Sequence, residues 1–385
     1  MNKLVCLYLA ALMLLFVACQ NEEPLAPVNA ENGSSEFAMF LNKGGGDGQA
    51  TITVMTRNVY VGADVDSVLG SKLEDIPFVV PIVYQQLFDT DFEARAHSLA
   101  REIEHIGPHL IGLQEISKIR YQENGDAILG VPPNAEEIVF DYLQILLDAL
   151  QDYGLNYQVA GIIENTDVEV PMFMGVDPAG IPLFDDVRLT DYDVVLANGK
   201  TEVLSSTAEN FSAFLPIAGI DVLRGYVSVE AKVKRRIYRF VNTHLEAFVP
   251  EVRFLQAQEL LGVLDSEMLP TIMVGDFNTP APSDPTYQYI LAAGYEDVWS
   301  KNLSKRHPEG YTFGHRSDLL NEDADFYERI DLVLTRNITD LTVWATVVGN
   351  EKWNKTPSGL WPSDHGGVAA RMRMPLKPDY AWGND

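Results

Sequence analysis

The chain has 385 residues, a hydrophobic fraction of 46% and a formal net charge of -27 at pH 7. That much apolar material excludes a wholly disordered acidic polymer, and the acidic balance excludes binding to nucleic acid through a broad basic face. Its 2 cysteines, Cys6 and Cys19, both lie near the N-terminus, so the rest of the chain cannot be a disulfide scaffold and must rely on its own core.

Lys3 precedes an apolar run over residues 4–17, followed by Ala18, Cys19 and the polar Gln20-Asn21-Glu22-Glu23. A basic start, a short apolar centre and a small residue before the cut describe a signal peptide over residues 1–18, too short for a membrane span. Leu15-Phe16-Val17-Ala18-Cys19 resembles a bacterial lipobox, with Cys19 as the lipidated first residue of the mature chain. Export and lipid anchoring to a bacterial membrane, the outer one, are therefore expected. Residues 19–49 contain Asn32-Gly33-Ser34-Ser35 and Gly44-Gly45-Gly46-Asp47-Gly48, which predicts a flexible tether. Strand and helix signals then alternate without a second linker, predicting one catalytic domain over residues 50–376 and a tail over 377–385.

Within that domain, residues 51–55 are β-branched and end at Thr56-Arg57-Asn58. Residues 76–84 are apolar but carry Pro77 and Pro81, which predicts irregular structure; residues 92–106 have helical spacing. Residues 110–113 read as a strand ending at Gln114-Glu115, and residues 136–153 as a helix. The apolar stretch 170–184, broken by Pro171, Gly175 and Gly180, reads as irregular. Residues 227–233 and 237–241 form paired strands that end at Asn242-Thr243-His244, a helix follows over 252–268, and a strand over 271–274 ends at Gly275-Asp276-Phe277-Asn278. Arg329-Ile330-Asp331 and Ser363-Asp364-His365 complete the series. Pattern alone predicts a layered α/β or α+β fold.

Those six motifs, in that order, resemble the endonuclease/exonuclease/phosphatase superfamily, which includes pancreatic-type deoxyribonucleases, abasic-site endonucleases, neutral sphingomyelinases and inositol-polyphosphate phosphatases. The resemblance spans roughly residues 50–374 and rests on the set, since any one motif could be a turn or a cap. It implies a four-layer sandwich, two packed mixed β-sheets flanked by helices. It also implies that Glu115 holds a divalent cation, with Asn58 and Asp364 on the metal side. Oxygen ligands suit Mg²⁺, with Mn²⁺ or Ca²⁺ as alternatives.

Glu115 ends an apolar strand, where an unpaired carboxylate is costly unless a metal or a cationic group meets it. Asp276 and Asn278 are two apart, so an extended chain points both to one side, where the Asp can align water and the Asn can bond a phosphoryl oxygen. The resemblance makes His365 a phosphate-contacting acid or base oriented by Asp331, and His244 the proton carrier to the leaving oxygen. The carboxylate partner of His244 is expected at Asp193, with Asp191 as the alternative. His97, His105, His109, His307 and His315 read as surface or locally hydrogen-bonded residues, and Arg188 as a solvated loop residue.

The expected activity is divalent-metal-dependent hydrolysis of a phosphate ester, a phosphodiester or phosphomonoester, by in-line attack of water. Expected partners are that ester and a membrane reached through the N-terminal lipid, and the chain is expected to be a monomer. A secreted nuclease is a second reading, although the only basic run, residues 232–239, reads as a solvated strand face. A sphingomyelinase-like phospholipid hydrolase is a third, with segments 76–84 and 170–184 either lining an apolar pocket or packing on their own domain. A surface lipoprotein that binds without catalysis is a fourth.

Overall fold

Alternation of β-branched runs with amphipathic segments produces two mixed sheets packed face to face. The computed structural model describes residues 49–304 and 308–375, all within the unit Gly45–Asp385. The signal peptide, Cys19, the tether up to residue 48, His307 and the tail 377–385 lie outside the described residues.

In chain order the elements are β1 (Gln49–Asn58), α1 (Asp66–Leu69), α2 (Ile76–Asp89), α3 (Phe92–Ile106), β2 (Leu110–Gln114), β3 (Lys118–Gln122), β4 (Glu137–Asp141) and α4 (Tyr142–Asp152). Then come β5 (Tyr157–Val176), β6 (Pro182–Asn198), β7 (Thr201–Asn210), β8 (Leu215–Ile217), β9 (Ile220–Val222), β10 (Gly225–Val233) and β11 (Arg236–His244). The last third holds α5 (Pro250–Val263), β12 (Thr271–Asp276), α6 (Pro285–Ala292), β13 (Glu296–Asp297), β14 (Asp331–Arg336), β15 (Thr342–Val348) and β16 (Gly367–Pro375). One sheet has the order β15-β16-β1-β2-β6-β3-β4, with β5 also paired to β6; the other runs β13-β14-β12-β11-β10-β7, and β8 pairs with β9.

The core between the sheets takes Ile52 and Val54 from β1, Val229 from β10, Phe240 from β11 and Ile272 and Val274 from β12. On the outer face of the second sheet, Val241 and Met273 meet Ala257 and Leu260 of α5 and Ile290 of α6. On the first sheet, Ile119 and Val187 meet Val80, Val83 and Leu87 of α2. Strands buried on both faces lose their period-2 alternation, which is why β1 and β12 read as continuous apolar runs. Helices outside two sheets give the four layers.

One polar link crosses the middle. Gln114 Nε2 donates to Asn242 Oδ1 (2.6 Å), and Asn242 Nδ2 donates to the carbonyls of Leu113 (2.9 Å) and Val194 (3.2 Å). The two sheets are thus tied by fully buried amides at the level where both approach their polar ends.

Four expectations need correction. Residues 76–84 belong to a regular helix, α2: Pro77 sits in its first turn, where no intrahelical N–H is needed, and Pro81 is carried inside it. Residues 170–184 belong to the long β5–β6 hairpin, Gly175 taking φ +118° at a register shift. The helix expected from 136 begins only at Tyr142, after β4; Asp141 is extended and its carboxylate accepts from Gln144 N, so the cap sets the start. Arg188 lies on β6 and forms a two-point pair with Asp167 (2.9 and 2.6 Å), because cross-strand geometry brings the two side chains together.

Candidate active site

The six motifs converge at one end of the sandwich. In the second sheet His244 lies beside Asp276 in the β11–β12 register, and Asp276 lies beside Asp331 in the β12–β14 register. In the first, Asn58 is the register partner of Gln114, which places Glu115 next to it, and Asp364 and His365 lead into β16. Two positions take left-handed backbone to turn their side chains into this end: Glu115 (φ 60°) and Asn278 (φ 49°). Asn278 therefore leaves the extended path expected for it, yet it still lines the same cavity as Asp276. Gly275 is required immediately before Asp276, because a Cβ there would stand 1.9 Å from the Thr243 carbonyl oxygen of the neighbouring strand.

Asp276 is the hub. Its Oδ1 accepts from Asn278 N (3.0 Å) and its Oδ2 from Asn58 Nδ2 (3.1 Å). The same Oδ2 lies 3.5 Å from His244 Nε2 and 3.7 Å from His365 Nε2. His365 Nδ1 is 2.9 Å from Asp331 Oδ2, the orienting pair that the resemblance implies. Asn278 Nδ2 donates to the Leu245 carbonyl (2.9 Å), which fixes its amide.

The partner of His244 differs from expectation. Its Nδ1 is 2.9 Å from Arg224 Nη1, and a guanidinium can only donate, so Nδ1 accepts and the proton sits on Nε2, facing Asp276. Arg224 lies 3.5 Å from Asp191, while Asp193 and Asp191 both accept from Asn165 Nδ2 (3.0 and 3.2 Å). One oxygen of each Asp and one His244 nitrogen lie within 4.8 Å of one another, so Asp193 belongs to the cluster. It does not take the ring nitrogen, because Arg224 intervenes.

Electrostatics separate the two imidazoles. Burial, then the charges of Arg224 and His365, hold His244 well below the usual histidine range, so it is neutral. Burial also opposes charge on His365, but the carboxylates of Asp331, Asp276 and Asp364 outweigh it and push it up to about 10, so it is an imidazolium. Asp276 is pushed up to about 7 by burial, which His365 opposes and Asp331 reinforces.

Glu115 and Asp364 face the cavity beside these groups. Glu115 accepts from Asn58 Nδ2 (2.9 Å) and Val61 N (2.8 Å). Asp364 is raised to about 6 by burial and by the charge of Glu115, against the pull of His365. Two hard-oxygen carboxylates that line one cavity are a donor set a divalent cation fits. Asn58 enters differently: its Oδ1 accepts from Tyr60 N (2.9 Å) and its amide nitrogen bridges Glu115 and Asp276, so here it positions both carboxylates and its oxygen is engaged.

Several supporting residues were given no role by the sequence, Arg57 among them although it lies within Thr56-Arg57-Asn58. Arg57, buried against Glu102 (3.1 Å), donates to the His365 carbonyl (2.6 Å). Arg95 donates to the carbonyls of Val59 (2.7 Å) and Pro362 (3.0 Å), clamping the loops that carry the site; its place on the apolar stripe of α3 with Phe92, Leu99 and Ile103 was the available clue. His315 is buried and bonded to Asn321 (2.8 Å), and its own N–H holds the Asp364 carbonyl (3.1 Å). A separate acidic group, Asp126, Glu169 and Asp186, lies away from this end, and its carboxylates accept backbone N–H groups of residues 126–135.

A model of the endonuclease/exonuclease/phosphatase family matches residues 83–365. Among solved structures, an endonuclease/exonuclease/phosphatase family protein from Bacteroides thetaiotaomicron is 16% identical with a TM-score of 0.53, covering 85% of this chain and 99% of its own. A family protein from Leptotrichia buccalis is 17% identical (TM-score 0.52; 83% and 99% covered). A mannosyl-6-phosphatase of Bacteroides thetaiotaomicron is 16% identical (TM-score 0.50; 83% and 99% covered). No curated protein matches. The matched span, the two-sheet sandwich and the convergence of Glu115, His244, Asp276, Asp331 and His365 show that the chain belongs to the endonuclease/exonuclease/phosphatase family of phosphoric ester hydrolases.

Proposed function

We propose that this enzyme hydrolyses a single phosphate ester by in-line attack of water, in a lipid-anchored exported form, with Mg²⁺ as the resident ion and Mn²⁺ or Ca²⁺ as substitutes. The observation that carries the reading is the approach of both imidazole Nε2 atoms to one Asp276 oxygen, at 3.5 and 3.7 Å. A phosphoryl group entering that space meets a neutral N–H donor from His244 and a cationic donor from His365.

Asp276 accepts the proton of the attacking water, its basicity raised by burial. Asn278 and Asn58 hold that carboxylate through its two oxygens, so the water is aligned before reaction. The His365 imidazolium, kept charged by Asp331, stabilises negative charge growing on a phosphoryl oxygen. His244 hydrogen-bonds the departing oxygen through Nε2–H and keeps its proton, with Arg224 fixing its tautomer, and the proton that Asp276 takes from water passes to that oxygen as it leaves. Glu115 and Asp364 would hold the divalent ion, which when bound neutralises phosphoryl charge and stabilises the leaving oxygen.

The acidic chain and the scarcity of basic side chains favour a small ester over a nucleic acid. Export and anchoring are supported by the leader and Cys19. The test is turnover of plasmid DNA, RNA, phospholipid and small phosphate esters by the mature protein, with Mg²⁺ or Mn²⁺ and again with EDTA. EDTA-sensitive cleavage of a small ester or phospholipid is expected. No cleavage by folded, metal-supplied protein would instead leave the surface binding lipoprotein as the reading, and preferential cleavage of DNA or RNA would favour the nuclease.

A further inference from the structure

The catalytic cavity, about 420 Å³, does not stop at the residues that surround the phosphate. It continues between α2 and the β5–β6 hairpin, walled by Val80, Val83 and Leu87 of α2, Val168 and Val170 of β5 and Leu189 of β6. Helix α1 and strand β9 add Val68, Leu69, Ile220 and Val222 on the remaining sides, with Asp66 of α1 beside them. Val80 and Val83 belong to the apolar stretch 76–84 and Val170 opens the stretch 170–184, so both segments reach this one space.

Two hydroxyl groups on this wall are already engaged. Thr166 Oγ1 donates to the Leu223 carbonyl (3.2 Å) and accepts from its N–H (2.9 Å), and Ser117 Oγ donates to the Glu115 carbonyl (3.2 Å). A sugar or nucleobase placed here would leave its donors and acceptors unpaired. Of the aromatic rings that line the cavity, Tyr84 is itself stacked on Tyr121 (6.1 Å, 21°) and edge-on to Phe88 (5.3 Å), while Phe248, 44% exposed, adds a further apolar face. The one Arg or Lys among the lining residues is Arg224, which is held by His244 and Asp191. Asp64, Asp66, Glu115 and Asp191 line the same cavity, so a second phosphate would meet carboxylates instead of cations.

We propose that the space between α2 and the β5–β6 hairpin is a hydrocarbon subsite continuous with the catalytic centre, and that the substrate is a phosphate ester bearing one alkyl chain. This rests on the phosphoesterase reading and names its substrate class. Cavities of roughly 300–1,000 Å³ enclose one small organic ligand, which suits a single chain with its phosphate at the histidines.

The test separates binding from turnover. Calorimetry with Mg²⁺-supplied protein compares octylphosphonate with methylphosphonate, neither of which can be hydrolysed at its P–C bond. Each methylene buried tightens binding roughly fourfold, so a preference for the octyl compound of about 30-fold or more is expected even if only part of the chain is enclosed. Equal affinities would overturn the subsite. Leu189→Gln places an amide on a partly exposed stretch of the wall, and Val168→Phe fills the space; each should cut the octyl-to-methyl ratio at least fivefold, with folding checked by circular dichroism. An unchanged ratio in both would equally overturn it.

Turnover of the monoester octyl phosphate, read by phosphate release, and of the diester octyl 4-nitrophenyl phosphate is measured alongside. If neither is cleaved while octylphosphonate still binds preferentially, the phosphoesterase reading fails and the subsite stands. Co-sedimentation with phosphatidylcholine vesicles containing lysophosphatidate, which carries one acyl chain, above that with plain phosphatidylcholine, assigns the chain to a membrane lipid. Octylphosphonate binding without such co-sedimentation assigns it to a soluble ester.

Discussion

Asp276 is a carboxylate whose whole environment is arranged around two oxygens, and its replacement isolates the proton step. Asp276→Asn keeps the shape but cannot take a proton from water, so turnover should fall roughly 10²- to 10⁴-fold. A variant within threefold of wild type, on a substrate that wild type cleaves, would remove Asp276 from that role. Asp331→Asn tests His365 through a different readout. A histidine raised to about 10 stabilises the fold fully below its unfolded value near 6.5, and that contribution is lost as pH rises through about 10. Asp331→Asn removes the largest favourable part of the shift. The wild type should therefore exceed the variant in stability by at least about 1 kcal/mol at pH 6, and the gap should narrow by pH 10.5. Denaturant midpoints at the two pH values measure it; a gap independent of pH would mean that the pair carries no titrating charge.

At the level of elements, the site depends on how two strand bundles are held in register. Asn242 ties them, and Asn242→Leu would strand Gln114 and the carbonyls of Leu113 and Val194 in a dry interior. Destabilisation of roughly 2–4 kcal/mol is expected, read as a lowered midpoint in urea without a changed slope. Gly275→Ala would drive a Cβ into the Thr243 carbonyl and push apart the strands that carry His244 and Asp276, so activity should be lost along with stability. The strand ends were legible in advance because a β-branched run stops where a polar residue must face the cleft, as at Asn58, Glu115, His244 and Asp276. Helix α2 was not, since Pro77 and Pro81 argue locally against a helix, whereas the packing of Val80, Val83 and Leu87 against the first sheet decides for one. Arg224 was equally hidden: it stands just before β10 without periodic neighbours, and only the approach of β11 gives it a histidine to hold.

For the molecule as a whole, the acidic balance and the site are linked through the cation. Glu115, Asp364 and Asp276 gather at the end of the sandwich where both sheets deliver their polar termini, and the charge of Glu115 beside the buried Asp364 disfavours the folded state until a positive charge joins them. A divalent ion that binds only the folded chain stabilises it by mass action, about 2.7 kcal/mol at a concentration 100 times its dissociation constant. Saturating Mg²⁺ or Mn²⁺ should therefore raise the melting temperature of EDTA-treated protein by several degrees, on the scale of about 2–4 °C per kcal/mol for domains of a few hundred residues. Glu115→Gln removes one charge and one strong oxygen donor while nearly keeping shape, so the apo variant should melt no lower than apo wild type, and higher if relief of repulsion dominates. Its metal-induced rise should shrink by more than half at the same concentration. The two responses together identify the site: an undiminished metal shift in Glu115→Gln, whatever its activity, would place the cation on other carboxylates of this acidic chain.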